Sequence, residues 1–318
     1  MYYFKLSIVI NIIRECKKIA GDNSMTKNSN KESWLSVAFI GIAAVICFLP
    51  FWIAVIASFT PETEITTVGY HLWPNEISLD TYKFIFNQKG SLLLRAYGMS
   101  IVSTVLGTAY SMFIMLTYSY AISQKKEVFP LSRALSFFAW FTTVFSGGTL
   151  PWYILCTKYY GLQNNLWALF VPYGMNVFNM FILRNTFKSI PHELYEAARI
   201  DGASNGKIFV QIALPLAKVG MATVGLFTAI GLWNDYYLSL YLISQQKMYT
   251  LQRLLYQMTS NLQSLYSGLT ASTTTHFVPP QNTAKMAVMV LTITPILLVY
   301  PSVQKYFVRG ITIGAVKG

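Results

Sequence analysis

Long apolar segments alternate with short polar ones along the chain, and this pattern predicts a helical membrane protein. Six charge-poor apolar segments are long enough to cross a bilayer, for which about 20 residues suffice. They lie near 35–58, 96–120, 134–156, 166–187, 216–243 and 286–304. Prolines and glycines interrupt several of them, which is tolerated where neighbouring helices or a cavity satisfy the backbone. We therefore predict an all-α integral membrane protein with six transmembrane helices.

Composition supports this class. Of the 318 residues, 54% are hydrophobic and 11% are charged, whereas about a quarter of a soluble domain is charged. The net charge of +12 would suit nucleic acid, but the basic residues are spread between apolar segments and form no stripe. Cys16, Cys47 and Cys156 lie far apart, which argues against a disulfide or zinc framework. Because no constellation for nucleophilic or metal catalysis is visible, we expect no enzyme and no bound metal.

One polar segment, 189–215, separates the fourth and fifth predicted spans. Pro191 suits a first helical turn, because its missing N–H would have had no helical partner there. Further residues follow at i, i+3, i+4 and i+7 and share one helical face. They are Leu194, Ala197, Ala198 and Asp201. The two alanines make this face shallow, so another protein's surface could approach it closely.

The same segment contains signals for a turn and a second short helix. Gly202 can adopt the left-handed conformation that ends a helix, and Ser204 or Asn205 can cap the next one. The second apolar face is formed by Ile208, Phe209 and Ile212, and Pro215 is expected to terminate it. We therefore predict two short helices at an angle, joined at Gly202; an ordinary hairpin between spans is the simpler alternative.

Residues 202–208 also resemble a phosphate-binding loop. The spacing between Gly202 and Gly206 is one residue too short, and Lys207 is not followed by Ser or Thr. We therefore expect any ATP chemistry to belong to another chain.

The distribution of Lys and Arg predicts the orientation. The tail 1–33, the loop 121–133, the C-terminus, and segment 189–215 with the preceding Arg184 and Lys188 together hold 16 Lys and Arg, against 6 in the intervening loops. Both termini and segment 189–215 are therefore expected in the cytoplasm. Met25 precedes the first span, so residues 1–24 are interpreted as an upstream extension whose deletion should leave insertion and transport intact.

The two long loops on the opposite side, 60–95 and 244–284, are candidates for contact with a partner outside the membrane. The first is acidic. The second carries a helical stripe after a Thr250 cap, formed by Leu251, Leu254, Leu255 and Met258. Packing of this stripe on the chain's own outer rim is an equally good interpretation.

Small residues recur within the predicted spans. Ser103, Gly107 and Ser111 repeat every four residues in the second span, and Gly220 and Gly231 share a face of the fifth. Such faces are typical of close helix packing. The packing could be within the chain or against a partner chain.

The sharpest intramembrane feature is Trp233-Asn234-Asp235-Tyr236. Asp235 is the only acidic residue in a predicted span, and intramembrane charge often marks a pathway. It is expected roughly 28 Å along its helix, at 1.5 Å per residue, near the outer interface where aromatic belts are ordinary. We favour a substrate pathway, because aromatic faces stack on sugar rings while Asn and Asp bind hydroxyl groups. Weaker companions are Tyr173, Asn176 and Asn179, for which interhelical hydrogen bonding is as good an explanation.

Segment 189–215 resembles the EAA loop of the permease subunits of binding-protein-dependent ABC importers. Glu196-Ala197-Ala198 is followed by Gly202 and then by Ile212-x-Leu214-Pro215. From about residue 34 onwards, the chain is similar to the maltose-type G subunit of carbohydrate-uptake permeases. This resemblance rests on the EAA loop, the six spans, Trp233-Asn234-Asp235 and the C-terminal run 300–318. The resemblance assigns ATPase coupling to Glu196, Ala197, Ala198, Asp201, Gly202, Ala203, Ile212, Leu214 and Pro215.

This resemblance implies a bacterial plasma-membrane permease for carbohydrates, with residues 34–318 as its transmembrane domain. The implied partners are a second permease, two ATPase subunits that bind ATP and Mg, and an extracellular solute-binding lipoprotein. No cofactor is expected on this chain. A permease of the same class for another solute, such as amino acids, is the main alternative. A secondary transporter would need paired mid-membrane charges or inverted repeats, and the sequence shows neither.

Overall fold

The structure is a computed structural model that describes residues 29–257, 260 and 282–315. These residues form helices, turns and loops without a β-strand. The chain divides into two units, residues 1–53 and 54–318. The α-helices, in chain order, are α1 (Ser29–Ser58), α2 (Glu62–Thr67), α3 (Asp80–Ser123), α4 (Ser132–Val144), α5 (Thr149–Ile154), α6 (Val177–Lys188), α7 (His192–Ile200), α8 (Asn205–Ile208), α9 (Leu214–Leu216), α10 (Lys218–Trp233), α11 (Tyr237–Leu242), α12 (251–257) and α13 (Asn282–Ala315).

Shorter turns of other helix types link several of these elements. They are the π-helical turns Leu155–Tyr159 and Phe209–Ala213 and the 3₁₀ turns Leu166–Leu169, Val171–Tyr173 and Gln246–Met248. In the first unit, the described residues belong to α1, whose apolar side chains, such as Phe39 and Ile42, are exposed. An apolar helix of this kind is typical of a membrane span.

In the described part of the chain, two helices by themselves meet the length and apolarity needed to span a membrane. Residues Ser36–Ser58 and Gly90–Ser123 are long and apolar enough to cross a bilayer. Two bent pairs would raise the number to four if each pair is one span: Leu166–Tyr173 with Val177–Lys188, bent by 58°, and Asn205–Leu216 with Lys218–Trp233, bent by 81°. A shorter apolar helix runs over Asn282–Leu298. The count of six spans stays a prediction.

Two predicted boundaries differ from the structure. The loop expected over 60–95 becomes helical from Asp80, where α3 begins, and it also contains α2. The span expected over 134–156 is interrupted between Val144 and Thr149, where Phe145 is extended and Gly148 has φ +84°. A glycine at Gly148 allows this interruption, since L-residues rarely adopt a positive φ.

The main core of the second unit lies where α3 packs along α6 and α10. Met115 of α3, Met180 and Leu183 of α6 and Val224 of α10 are fully buried there. These contacts position segment 189–215, because α6 leads into it and α10 leaves it.

The small residues of the second predicted span face the interior of the chain. Ser103 and Ser111 are buried. A Cβ atom on Gly107 would lie 2.6 Å from the Cβ of Phe170 and 2.8 Å from Leu232 Cδ1. This face therefore packs within the chain, and it gives no support to a partner interface.

The two glycines of the fifth predicted span have different surroundings. A Cβ atom on Gly220 would lie 2.5 Å from Thr186 Oγ1 of α6, whereas nothing lies within 4 Å of one on Gly231. Of these two glycines, only Gly220 allows close packing between described residues.

The apolar stripe of the predicted loop 244–284 packs on the chain itself. Leu251 and Leu254 of α12 are buried with Leu93 of α3 and Ala287 of α13. The Thr250 hydroxyl accepts a 3.4 Å hydrogen bond from the backbone N–H of Arg253, as the predicted cap requires. Met258, Met25 and the extension 1–24 lie outside the described residues.

Candidate functional site

Segment 189–215 forms two short helical pieces joined by a glycine turn. Helix α7 ends at Ile200, and Gly202 follows with φ +75°. The backbone N–H of Gly202 donates to Arg199 O at 3.0 Å, and that of Ala203 donates to Ala198 O at 2.9 Å. Gly202 thus has the left-handed conformation that the sequence predicts, and it closes α7 by satisfying its last carbonyls.

The second piece begins with the predicted serine cap. The Ser204 hydroxyl accepts a hydrogen bond of 3.4 Å from the backbone N–H of Lys207, which starts α8. The chain then widens into the π-helical turn Phe209–Ala213. Proline lacks an N–H donor, and its ring crowds the carbonyl four residues before it, so a wider turn ahead of Pro215 is physically reasonable.

Two predictions about the prolines are wrong. Pro191 was expected in the first helical turn, but it precedes α7 with ψ 131°. Pro215 was expected to terminate the second helix, but it lies inside α9, which ends at Leu216. The chain is helical without a gap from Asn205 to Leu216, and the wider π-helical turn ahead of Pro215 accommodates a residue that has no N–H donor. This explains the place of Pro215 in α9.

One side of the segment is anchored in the core. Tyr195 and Ile208 are buried with Phe187 and Met180, and the Tyr195 hydroxyl donates to Phe187 O at 3.4 Å. Burial, with a smaller effect of Tyr120, raises the pKa of Tyr195 to about 12. Tyr195 is therefore a neutral anchor. The motif does not include Tyr195. Its position on the face of α7 opposite Ala197 is the sequence feature that indicates its burial.

The other side of the segment is exposed and shallow. Leu194, Ala197, Asp201 and Gly202 are exposed, and the Ile200 side chain is 86% exposed. Glu196 and Pro215 are exposed as well, whereas four motif residues are only partly exposed and pack against the core: Ala198, Ala203, Ile212 and Leu214. The predicted shared face is therefore exposed at three of its four positions, the exception being Ala198.

Segment 189–215 is bonded to the short connection between α3 and α4. Lys125 Nζ lies 3.1 Å from Glu196 Oε1, and Arg199 Nη2 donates to Gln124 Oε1 at 3.0 Å. The hydrogen bond and charge of Lys125 lower the pKa of Glu196. Glu196 thus has a partner in this chain, 71 residues away in sequence.

The stretch Trp233–Tyr236 consists of the last residue of α10 and the turn that follows it. Helix α10 ends at Trp233 and α11 begins at Tyr237, so the placement of Asp235 some 19 residues into a continuous helix is wrong. The carboxylate of Asp235 accepts a 3.0 Å hydrogen bond from the backbone N–H of Leu238. Carboxylate side chains favour such capping bonds over helix interiors, which explains the break.

The neighbours of Asp235 make different contacts. Trp233 is partly buried against the cluster that contains Ile85 and Leu251. Asn234 is exposed and accepts a 3.3 Å hydrogen bond from Gln252 Nε2. The exposed Tyr236 ring stacks on Tyr256, with centroids 5.2 Å apart.

The three weaker candidates have different surroundings in the structure. Tyr173 is 41% exposed. Asn176 caps α6 by accepting a hydrogen bond from the backbone N–H of Asn179 at 3.0 Å. Asn179 itself is buried, and its Nδ2 donates to Thr228 Oγ1 of α10 at 3.4 Å, so it makes the interhelical contact that was the alternative interpretation.

A cluster of aromatic rings near this turn was missed. Trp152 of α5 packs on Tyr237 and Tyr241 of α11, with ring centroids 5.4 Å and 6.3 Å apart. The Tyr237 hydroxyl donates to Thr149 Oγ1 at 3.1 Å. The sequence carries no signal for this cluster, because Thr149 and Tyr237, which this hydrogen bond joins, are 88 positions apart in the chain. Within the described ranges, no group of three His, Cys, Asp or Glu side chains could hold a metal.

The structure is helical, with helices apolar and long enough to cross a membrane, and segment 189–215 presents a partly apolar exposed surface. Residues 112–313 match the family described as binding-protein-dependent transport system inner membrane component. The match covers more than half of the chain, and the chain belongs to this family of transporter permeases.

Similar proteins extend the comparison over most of the length. The chain is 39% identical to protein LplC of Bacillus subtilis over 286 residues, covering 89% of this chain and 94% of LplC. It is 37% identical to the polygalacturonan/rhamnogalacturonan transport system permease protein YtcP of the same species, covering 89% and 97%. The crystal structure of a bacterial ABC transporter involved in the import of the acidic polysaccharide alginate contains a similar chain, with a TM-score of 0.73, 27% identity and coverage of 90% and 99%.

Proposed function

We propose that this chain is a permease subunit of an ATP-driven importer for oligosaccharides. The observation that carries the proposal is the family match over residues 112–313, which includes all of α7, α8 and α9. The similar proteins support the substrate class, since YtcP is named for polygalacturonan and rhamnogalacturonan and the solved transporter for alginate. An amino-acid permease of the same class finds no such support among them.

We further propose that the exposed side of segment 189–215 receives the ATPase partner. Ala197 and Gly202 add little side-chain bulk there, and Leu194 and Ile200 offer apolar area to a socket. Apolar side chains this exposed on a rigid surface are typical of an interface. Tyr195 and Ile208, buried beneath it, would transmit the motion of the partner to α6 and α10.

The assembly consistent with this role has a second permease, two ATPase subunits and an extracellular solute-binding lipoprotein. ATP and Mg would bind to the ATPase subunits, and this chain would bind no cofactor. Segment 189–215 and both termini would lie in the cytoplasm, which agrees with the excess of Lys and Arg on that side. The turn 233–236 would then lie towards the outer face, where a delivered sugar enters.

The test is reconstitution with the partners. The chain, a second permease, the ATPase and the binding protein are co-purified and placed in lipid nanodiscs, and ATP turnover is measured with acidic oligosaccharides, neutral oligosaccharides and amino acids. Stimulation by one class of oligosaccharide supports the proposal. Stimulation by amino acids alone, or uptake by this chain without any ATPase, would contradict it.

A further inference from the structure

A basic pocket of about 410 Å³ lies where the end of α3, the start of α4 and the end of α6 meet. Its basic lining residues are Lys125, Lys126, Arg133, Arg184 and Lys188, and its lining carboxylate is Glu127. Five positive charges and one negative charge around this volume give the pocket a positive potential, which attracts an anion. The role proposed above for segment 189–215 makes no use of this pocket.

Most of these charges are not neutralised by the chain. Lys125 pairs with Glu196, and Arg184 Nε donates to the backbone carbonyl of Ile122 at 3.3 Å. Within the described ranges, Lys126, Arg133 and Lys188 form no ion pair. The pocket is therefore a site of concentrated positive charge that its one lining carboxylate does not balance.

Helix α4 adds a second feature that favours an anion. It is 13 residues long and begins at Ser132, and its first turn contains no acidic residue. Ser132, Arg133 and Ser136 of its first two turns line the pocket. The N-terminus of a helix carries a partial positive charge and N–H donors, which suit a phosphate group.

The same helix continues as an exposed aromatic surface. Phe137 and Trp140 are exposed, with ring centroids 5.7 Å apart, and Phe141 lies 6.3 Å from Phe137. A polar, cationic pocket thus adjoins an apolar strip on one short helix. A phospholipid has this same arrangement of an anionic headgroup and an apolar chain, whereas a soluble phosphate ester needs only the pocket.

We propose that this pocket binds the phosphate group of an anionic membrane phospholipid, with an acyl chain lying along the aromatic strip of α4. Basic pockets between membrane helices on the cytoplasmic side are suited to such headgroups. The inference rests on the proposed membrane orientation and goes beyond the transport function. A soluble phosphate ester in the pocket is the alternative that the experiment distinguishes.

The pocket is also connected to segment 189–215. Lys125 contributes to the pocket and bonds to Glu196, and its neighbour Gln124, also in the lining, accepts from Arg199. A lipid phosphate that shares Lys125 would hold the α3–α4 connection in place against α7. Anionic lipid should therefore raise the efficiency with which the ATPase is coupled to transport.

The binding experiment uses the co-purified complex after removal of lipid in detergent. Phosphatidylglycerol, phosphatidylcholine or glycerol phosphate is then added, and native mass spectrometry measures how much of each is bound. Three forms are compared: wild type, the pocket variant Lys126→Gln/Lys188→Gln, and the charge-matched control Lys158→Gln/Lys247→Gln, whose two positions lie outside the pocket. We expect the pocket variant to bind about thirtyfold less phosphatidylglycerol than wild type and control, since each of the two lysines contributes about 1 kcal/mol to binding an anionic lipid. Equal binding in all three forms overturns the proposal, and tight binding of glycerol phosphate without phosphatidylglycerol overturns the lipid assignment.

An activity measurement separates this proposal from the transport function. Sugar-stimulated ATP turnover is compared in phosphatidylglycerol and phosphatidylcholine nanodiscs. We expect phosphatidylglycerol to stimulate wild type and control more strongly than the pocket variant. Equal stimulation of all three overturns the link to coupling. If no sugar stimulates any form, the transport function fails, while the mass spectrometry still decides whether the pocket binds lipid.

Discussion

The hydroxyl of Thr283 donates a 2.7 Å hydrogen bond to the carboxylate of Glu62, 221 residues earlier in the sequence. The same carboxylate accepts the backbone N–H groups of Asn282 at 3.0 Å and Thr283 at 2.9 Å. Glu62 therefore caps α13 and ties α2 to the last described helix. An acidic group at a helix N-terminus also interacts favourably with the helix dipole.

The first prediction concerns this cap. Glu62→Ala should lower the stability of the solubilised complex by about 1–2 kcal/mol, because two backbone donors lose their acceptor. The measurement is the thermal midpoint of unfolding. Glu76→Ala, at an exposed acidic position nearby, is the control and should change little. Equal shifts in both variants would show that the cap contributes nothing.

The second prediction concerns Gly202. Its φ of +75° disfavours any side chain, although nothing lies within 4 Å of a Cβ there, so Gly202→Val should cost roughly 1 kcal/mol or more in backbone strain. The altered turn should uncouple uptake from ATP hydrolysis while the chain still inserts. Gly206→Ala is the control, since it has the same open space without a positive φ. A bulky residue at Ala198, which packs partly into the core, should uncouple in the same way.

A cysteine at Ala203 tests the contact directly. It should crosslink to the ATPase in the assembled complex. Normal transport by Gly202→Val, with no crosslink from this cysteine, would refute the coupling role of segment 189–215.

The third prediction concerns Lys125 and Glu196. Because their 3.1 Å ion pair holds α7 against the α3–α4 connection, Lys125→Glu and Glu196→Lys should each reduce sugar-stimulated ATP turnover. The double variant should recover much of it. Since Lys125 lowers the pKa of Glu196, the contribution of the pair is present at neutral pH and is lost as the pH falls through that lowered pKa. Additive losses in the double variant would mean that the pair is unimportant.

The fourth prediction concerns Asp235. Asp235→Ala should reduce oligosaccharide uptake, but it also removes the acceptor for Leu238 N–H. Asp235→Asn keeps an acceptor oxygen and removes only the charge, so it separates the two roles. Reduced uptake in both variants, with assembly and basal ATP hydrolysis retained, supports a pathway role, and Trp233→Ala should behave similarly. Loss in Asp235→Ala alone would assign Asp235 to helix capping.

The fifth prediction concerns the contact between α6 and α10. Gly220→Ala would place a Cβ atom 2.5 Å from Thr186 Oγ1, and overpacking of this kind costs about 1–3 kcal/mol. We expect a lower thermal midpoint or poor assembly. Gly231→Ala meets nothing within 4 Å and should be tolerated. Equal tolerance of both variants would show that the helices can separate at no cost.

The sequence by itself determined the class of fold. Apolar segments of membrane length predict helices, because the backbone must satisfy its own hydrogen bonds where water is absent. It also determined the turn at Gly202 and the caps at Ser204 and Thr250. These features are local: each depends on the conformations open to one residue and on donors within three or four positions, so the sequence is sufficient.

Only the tertiary structure decided the partners of these elements. It placed Ser103, Gly107 and Ser111 inside the chain, and it paired Glu196 with Lys125. The basic pocket also depends on tertiary structure, since it is assembled from the ends of three helices. Contacts between residues 60 to 220 positions apart depend on how helices pack, and local sequence carries no signal of that packing. The break at Asp235 could not be predicted from the sequence either. The apolar stretch around it is long enough for one continuous helix, and only the structure shows that the Asp235 carboxylate caps the following helix.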